Sequence, residues 1–137
     1  MTLNVDDKKT LSDIRFAKAR EALADARATL ADERLNNAVN RSYYAALSAV
    51  RALLILDGVN PESHGGAVTI LSLRFIRTKL LPVSVAKDFK TLMTRRTDVD
   101  YGDFESTSRS EAEDSVQRAD RLLNQIDTVR TRLATQL

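Results

Sequence analysis

Residues Glu33–Asp57 read ERLNNAVNRSYYAALSAVRALLILD and carry the most apolar helical pattern of the chain. Their apolar side chains recur at helical spacing, but they spread over more than one face of the predicted helix. A helix of this kind needs neighbours on two sides. We therefore expect it to be the central helix of a bundle, and we expect its surplus apolar surface to contact a second copy of the chain. Gly58 and the following Asn60-Pro61 predict its end.

The residues before this segment predict a first amphipathic helix. Thr10 with Asp13 is a capping-box pattern, so this helix is expected to begin at Thr10, after a flexible N-terminus of residues 1–9. A break is expected near Ala31-Asp32, where the Asp32 side chain can cap the central helix. The alanine-rich composition of the first helix favours close packing against its neighbour.

Three more helices are predicted after the central one. Ser63 is the expected N-cap of a short third helix, which ends before Pro82. A fourth helix follows over residues 84–101, and a capping box of Ser110 and Glu113 predicts the start of a long fifth helix. No segment alternates as a strand does. The sequence thus predicts a single all-α domain over residues 1–137, an antiparallel four-helix bundle with an additional short helix, in a symmetric dimer.

Composition excludes several classes of function. The 137 residues include no cysteine and one histidine, so we expect neither a metal site nor a bound cofactor. The net charge of +2 is too balanced to indicate a nucleic-acid binder by itself. No apolar run is long enough for a membrane span, and the first ten residues do not form a secretory signal, so a cytoplasmic protein without membrane contact is expected.

Candidate site residues are concentrated in Thr94–Gly102, which reads TRRTDVDYG. Arg96, Asp100 and Tyr101 lie four and five residues apart and leave a helix from nearly the same face, which makes them the candidate catalytic set. A guanidinium is well shaped to hold phosphate, and a phenol can donate a hydrogen bond or act as a nucleophile. The competing interpretation is a surface helix end with an intrahelical Arg96–Asp100 pair.

Four other residues are candidate binding residues. Arg95 and Asp98 belong to the same charged segment, and His64 is the sole histidine, at the start of the third helix. Tyr43 and Tyr44 diverge by about 100° on their helix, so they cannot both face one core. We predict a binding role for Tyr43, in a cleft or against a partner. The alternatives are a ring lying flat on the surface and a structural helix-start role for His64.

Three segments together resemble the HEPN superfamily, and within it the small prokaryotic HEPN-like proteins. They are NRSYYAAL at residues 40–47, SHGG at residues 63–66 and RTDVDYG at residues 96–102. The resemblance implies a helical bundle that dimerises with the motifs of the two subunits facing each other. Active members are metal-independent endoribonucleases, often toxins encoded beside a minimal nucleotidyltransferase antitoxin.

The family motif is an arginine followed, after four to six residues, by a histidine. Arg96 matches the arginine, Arg95 is a possible second one, and Tyr101 stands where the histidine would be. A phenol is a poorer base at neutral pH than an imidazole. In related pairs a motif tyrosine accepts AMP from the nucleotidyltransferase, and Tyr101 is the candidate acceptor here.

Three functions are therefore compatible with the sequence. The first is a HEPN-type toxin that cleaves RNA at a dimer interface with Arg96, Asp100 and Tyr101. The second is a non-catalytic module that binds nucleotide or RNA as the partner of a minimal nucleotidyltransferase. The third is a plain helical scaffold, in which the charged segment has no chemical role.

Overall fold

The computed structural model describes residues 3–102 and 106–137, and every regular element in these ranges is helical. The helices are α1 (Val5–Ala31), α2 (Leu35–Leu56), α3 (His64–Leu71), α4 (Val83–Tyr101) and α5 (Arg109–Thr135), with a π-helical turn, Ser72–Ile76, after α3. Helix α2 contacts each of the other four α-helices. The predictions of an all-α fold and of a central second helix are confirmed.

The core is built around α2 because small and large side chains alternate along it. Five of its alanines have no exposed surface, which allows neighbouring helices to approach closely; they are Ala38, Ala45, Ala46, Ala49 and Ala52. Between them lie fully buried large side chains such as Tyr43 and Leu53. Truncating a leucine in such a position costs about 2–5 kcal/mol of stability, since the cavity does not collapse completely.

Helix α1 begins earlier than the sequence suggested. The Asn4 side chain accepts a hydrogen bond of 2.8 Å from the Asp7 amide, so α1 starts at Val5. The predicted start at Thr10 is therefore wrong, and residues 5–9 of the predicted flexible N-terminus are helical. Residues 1–2 of that predicted segment lie outside the described residues.

Two other predicted caps are corrected by the structure. Asp32 lies at the C-terminal end of α1, where its amide donates to the Ala28 and Leu30 carbonyl oxygens, and α2 has no side-chain N-cap. At α5 the Ser108 hydroxyl accepts from the Glu111 amide at 3.1 Å, so the capping box lies two residues before the predicted one. Each error arises because several polar residues compete for the same helix end.

The ends that bear on the site agree with prediction. Gly58 has a φ of +77°, a left-handed conformation that glycine adopts without steric cost, and it follows the end of α2. The Ser63 hydroxyl accepts from the Gly66 amide at 2.9 Å, which confirms it as the N-cap of α3. His64 is thereby fixed at the first position of that helix.

A buried carboxylate positions α4 against α5. The Asp88 side chain is 2% exposed and accepts hydrogen bonds of 2.9 Å from both Arg118 and Arg121. These bonds satisfy an anion that burial would otherwise penalise. None of the helices in the described ranges is long and apolar enough to cross a membrane.

Candidate functional site

One polar stripe interrupts the buried surface of α2. From Ala38 to Leu56 every residue is buried except five, which follow one another at spacings of one, three, four and three residues and therefore lie on one side of the helix. They are Asn40, Arg41, Tyr44, Ser48 and Arg51. We call these five residues the α2 stripe. Because the other residues of α2 from Ala38 onward pack in the core, the stripe is the surface that this part of the helix offers to a ligand or partner.

Arg96 of α4 reaches the α2 stripe and is nearly enclosed there. Its side chain is 13% exposed, and its Nη2 donates a hydrogen bond of 3.1 Å to the Tyr44 hydroxyl. Its Nε lies 3.2 Å from Asp100 Oδ2, an ion-pair contact in which the N–H does not point at the oxygen. The Asn40 amide donates to Asp100 Oδ1 at 3.1 Å. Three residues from two helices thus fix the orientation of this guanidinium.

Two tyrosine rings lie against the Arg96 guanidinium. The guanidinium carbon lies 5.3 Å from the Tyr43 ring centre and 5.6 Å from that of Tyr44, within the range of cation–π attraction. The Tyr43 ring also stacks on Phe89 at 6.0 Å and lies 5.4 Å from the His64 ring. Arg96 and His64 therefore both border the Tyr43 ring, although they come from α4 and α3.

His64 is half-buried beside two arginines. Burial lowers the pKa of its imidazole from the usual 6.5, and the positive charges of Arg96 and Arg51 lower the pKa further. The imidazole is consequently neutral at pH 7, and one ring nitrogen can accept a proton. The predicted site residue His64 is thus brought close to Arg96 by the fold.

The predicted binding role of Tyr43 is corrected by its position. Tyr43 has no exposed surface and its hydroxyl has no hydrogen-bond partner among residues 3–102 and 106–137, so it cannot contact a ligand directly. Burial raises the pKa of this phenol to about 12. The neighbouring Tyr44, turned by about 100° around α2, is the tyrosine that reaches the surface.

Arg95 faces away from Arg96 and does not join the site. Its Nη1 lies 2.7 Å from Asp114 and donates to the Ser115 hydroxyl at 3.0 Å, so it holds α4 against α5. Asp98 lies on the same side, in a small cleft with Arg95. The structure thus places Arg95 against α5 rather than beside Arg96, with Asp98 on the same side, and a binding role for these two residues stays a prediction.

Asp100 and Tyr101 have different surroundings despite being neighbours. Asp100 contacts both Arg96 and Asn40, as described above. Tyr101 is the last residue of α4 and is 73% exposed, with its ring in solvent. The sequence placed both beside Arg96, and in this chain only Asp100 touches it.

The fold and the motif can now be compared with known proteins. The HEPN domain family model matches residues 13–129, which include α2, His64 and Arg96. The chain belongs to the HEPN family. This match confirms the family resemblance drawn from the sequence.

This HEPN chain is similar to proteins of Thermotoga maritima, Methanocaldococcus jannaschii and Pyrococcus horikoshii. A UPF0332 protein of Thermotoga maritima is 29% identical over 123 residues, which cover 90% of this chain and 93% of that protein. A protein of Methanocaldococcus jannaschii with the name "Putative toxin MJ0142" is 28% identical over 107 residues, or 78% of this chain and 73% of that protein. A UPF0332 protein of Pyrococcus horikoshii is 31% identical over 67 residues, covering 49% of this chain and 47% of that protein.

Four residues of the candidate site were not predicted as site residues. They are Asn40, Arg41, Tyr44 and Arg51. Arg41 donates to Asn40 Oδ1 at 2.7 Å and covers the Tyr44 ring at 5.0 Å. A usable signal was present, since polar residues recur at helical spacing along an otherwise apolar helix. The apolar residues of this helix predicted a broad apolar surface, whereas the structure has an apolar helix with one polar face.

The arrangement combines a fixed cation with a neutral base. Arg96 can hold an anionic oxygen, and His64 can accept a proton, while Tyr44 and Asp100 keep the guanidinium in place. In residues 3–102 and 106–137, no three carboxylate, imidazole or thiol side chains cluster as they would around a metal ion. Acid–base chemistry on a phosphate ester is the chemistry that these side chains fit.

Proposed function

We propose that this HEPN chain is the toxin component of a two-component toxin–antitoxin system and cleaves RNA without a metal ion. The observation that carries the proposal is the Arg96 guanidinium, held by Tyr44 and Asp100 with a neutral imidazole nearby. The family match and the name of the M. jannaschii relative support the toxin assignment.

Arg96 would bind the scissile phosphate. Attack on phosphorus places additional negative charge on the non-bridging oxygens, and a cation already fixed in position stabilises that charge without reorganising. The Tyr44 hydroxyl and the Asp100 carboxylate act as positioning groups, because they orient Arg96. Removal of one such stabilising group typically slows catalysis by about 100-fold to 1,000-fold.

His64 is the group best matched to start the reaction. Its neutral ring nitrogen accepts the proton of the ribose 2′-hydroxyl while the 2′-oxygen forms a bond to phosphorus. The bond from phosphorus to the 5′-oxygen then breaks, and that oxygen takes a proton from a general acid or water. The products are a 2′,3′-cyclic phosphate and a 5′-hydroxyl, so the atoms and charges balance.

A homodimer would complete the site. The α2 stripe and the end of α4 face solvent in the single chain, and a two-fold axis beside them would place two Arg96 side chains on one groove. The exposed Tyr101 would then border this groove. Size-exclusion chromatography with light scattering measures the mass directly, and a monomer at micromolar concentration would contradict the shared site.

The deciding experiment compares two adjacent arginines. Purified wild-type protein, Arg96→Gln and Arg95→Gln are incubated with transfer and messenger RNA in EDTA, and the cleaved ends are mapped. We expect Arg96→Gln to lose at least 100-fold in rate and Arg95→Gln to stay within about five-fold, because only Arg96 faces the α2 stripe. Intact RNA with the wild-type protein, or equal losses in both variants, would contradict the proposal.

A second function is favoured by the exposure of Tyr101. A phenol that is 73% exposed at a helix end is accessible to another enzyme. In this alternative the chain is a non-catalytic nucleotide-binding or RNA-binding partner of a minimal nucleotidyltransferase. The Tyr101 oxygen attacks the α-phosphorus of ATP, pyrophosphate leaves, and the partner enzyme supplies the base and the metal.

Mass spectrometry distinguishes the two functions. The chain is co-expressed with a minimal nucleotidyltransferase, with Tyr101→Phe as the matched control. A gain of one AMP on wild-type protein and none on Tyr101→Phe would support the alternative. An unmodified Tyr101, in a protein that cleaves RNA alone, would leave only the toxin function.

A further inference from the structure

The arginines of this chain fall into two groups. Most form ion pairs with carboxylates on neighbouring helices, as Arg27 does with Asp120 at 2.7 Å. Five arginines have no carboxylate within 4 Å in the part of the chain that the structure describes: Arg15, Arg41, Arg51, Arg77 and Arg132. Arg41 and Arg51 belong to the α2 stripe and Arg15 packs against it. Unpaired positive charge is therefore concentrated beside the site.

Arg15 and Arg51 lie close together without a neutralising group. Arg15 Nη1 makes a long contact of 3.5 Å to the Arg51 carbonyl oxygen, and Arg51 Nη2 makes one of 3.4 Å to the Pro61 carbonyl oxygen. Burial first, and then the charge of Arg51, lower the pKa of Arg15. Two half-buried cations that repel each other weaken the fold, so an anion bound between them would relieve that cost.

The surface next to this pair is also cationic. A cleft of about 400 Å³ between α1 and the end of α2 is lined by Lys8 and Arg15, with Leu11, Ile55 and Asn60 among the other lining residues. Among the residues that the structure describes, no carboxylate lines it. Positively charged side chains thus extend from Arg96 through Arg51 to Arg15 and this cleft, and the neutral His64 lies beside them.

We propose that Arg15 and Arg51 form a second phosphate-binding site, which holds a flanking phosphate of the same RNA strand whose scissile phosphate lies at Arg96. Tyr44, the partner of Arg96, and Arg51 are seven residues apart on α2, or about 10 Å along the helix. That separation suits phosphates a short distance apart on one extended strand. The inference rests on the proposed function, because it assigns the substrate of that site.

The distance between the two sites restricts the class of substrate. A ligand that must reach both Arg96 and the Arg15–Arg51 pair is an oligonucleotide rather than a mononucleotide. Arginine suits both positions because its planar guanidinium matches phosphate oxygens in a forked geometry. The strand would be single-stranded, since the in-line geometry at Arg96 requires a nucleotide that can leave a helical stack.

Binding is measured separately from cleavage. The probe is a fluorescein-labelled 12-nucleotide RNA with 2′-O-methyl groups throughout, which lacks the attacking hydroxyl and stays intact. Fluorescence anisotropy gives Kd for the full-length protein and for Arg15→Gln, Arg51→Gln and the double variant. Arg27→Gln is the matched control, because it removes the same charge from the α1–α5 surface away from the stripe. Circular dichroism establishes that each variant is folded.

We expect the double variant to weaken binding of the 12-mer at least ten-fold and Arg27→Gln less than two-fold. The negative slope of log K against log salt concentration should become shallower by about 0.7, because one phosphate contact is lost. A methylated dinucleotide probe should bind wild type and double variant alike, because it does not reach the second site.

Three results would overturn the inference. One is equal binding of the 12-mer by the double variant and Arg27→Gln. Another is absence of binding by the wild-type protein. The third is that poly-L-glutamate displaces the 12-mer as well as unlabelled RNA does, which would assign the arginines to an acidic protein partner.

The outcomes also separate this inference from the proposed function. Cleavage that depends on Arg96 but not on Arg15 and Arg51 at any salt concentration would leave the proposed function intact and remove the second site. Binding that depends on Arg15 and Arg51, in a protein that cuts no RNA, would support the second site and contradict catalysis.

Discussion

Replacing Tyr43 with phenylalanine should make this protein more stable. The Tyr43 hydroxyl has no exposed surface and no hydrogen-bond partner in the part of the chain that the structure describes, so folding removes it from water without compensation. A buried polar group left unsatisfied costs about 1–3 kcal/mol. Phenylalanine keeps the ring that packs against Phe89, His64 and Arg96. We therefore expect Tyr43→Phe to raise the free energy of unfolding by about 1 kcal/mol or more.

The neighbouring Tyr44→Phe is the matched control and should have the opposite sign. It deletes the hydroxyl that accepts a hydrogen bond from Arg96 at 3.1 Å. Hydrogen bonds to charged groups are worth about 1.5–3 kcal/mol, and the partial exposure of this pair reduces the expected loss to about 1–2 kcal/mol. Two identical chemical changes on adjacent residues thus shift stability in opposite directions.

Urea unfolding followed by circular dichroism measures both effects. An unfolding entropy of about 2.1 cal/mol/K per residue over 137 residues makes 1 kcal/mol equivalent to about 3.5 °C in Tm. The difference between the two variants should therefore be about 7 °C or more. A Tyr43→Phe protein that is less stable than wild type by 1 kcal/mol would show that the hydroxyl has a partner, and the reasoning from its burial would be wrong.

Three other perturbations have defined outcomes. In an NMR titration the sole histidine, His64, should have a pKa below 6.5, and this pKa should rise in Arg51→Gln. Because the histidine of the unfolded chain is protonated at a higher pH than that of the folded protein, the free energy of unfolding should fall as pH drops below about 6.5. Asp88→Ala should cost about 2–3 kcal/mol in urea unfolding, below the usual cost of breaking a buried pair because Arg118 remains 28% exposed to water. Gly58→Ala should cost about 1 kcal/mol from its φ of +77° alone, as no atom obstructs the added methyl group.

Helical periodicity was sufficient to predict the elements but not all of their ends. The apolar spacing in α2 and the turn at Gly58 are local signals, and both predictions agree with the structure. The start of α1 was misplaced because Thr10 and Asn4 are both acceptable caps, and only the packed structure selects one. Such competition between nearby polar residues is decided by tertiary contacts, which a single sequence does not contain.

The candidate site was predicted only in part for a related reason. The spacing of Arg96 and Asp100 on one helix indicated their contact correctly. The partner from another helix, Tyr44, lies 52 residues away in the chain, and no spacing rule connects it to Arg96. Likewise, Arg95 and Arg96 look equivalent in sequence, and the fold alone decides that one faces α5 and the other α2.

The location of the α2 stripe on the central helix ties the candidate site to the global unfolding of the protein. Amides of α2 near Tyr44 are surrounded by core, so their hydrogen exchange should require opening of the whole molecule rather than fraying of a loop. Loss of the site on heating should consequently coincide with the main melting transition. Local unfolding of α2 would therefore not be a separate route to inactivation, whereas covering the stripe with a partner or degrading the chain would be.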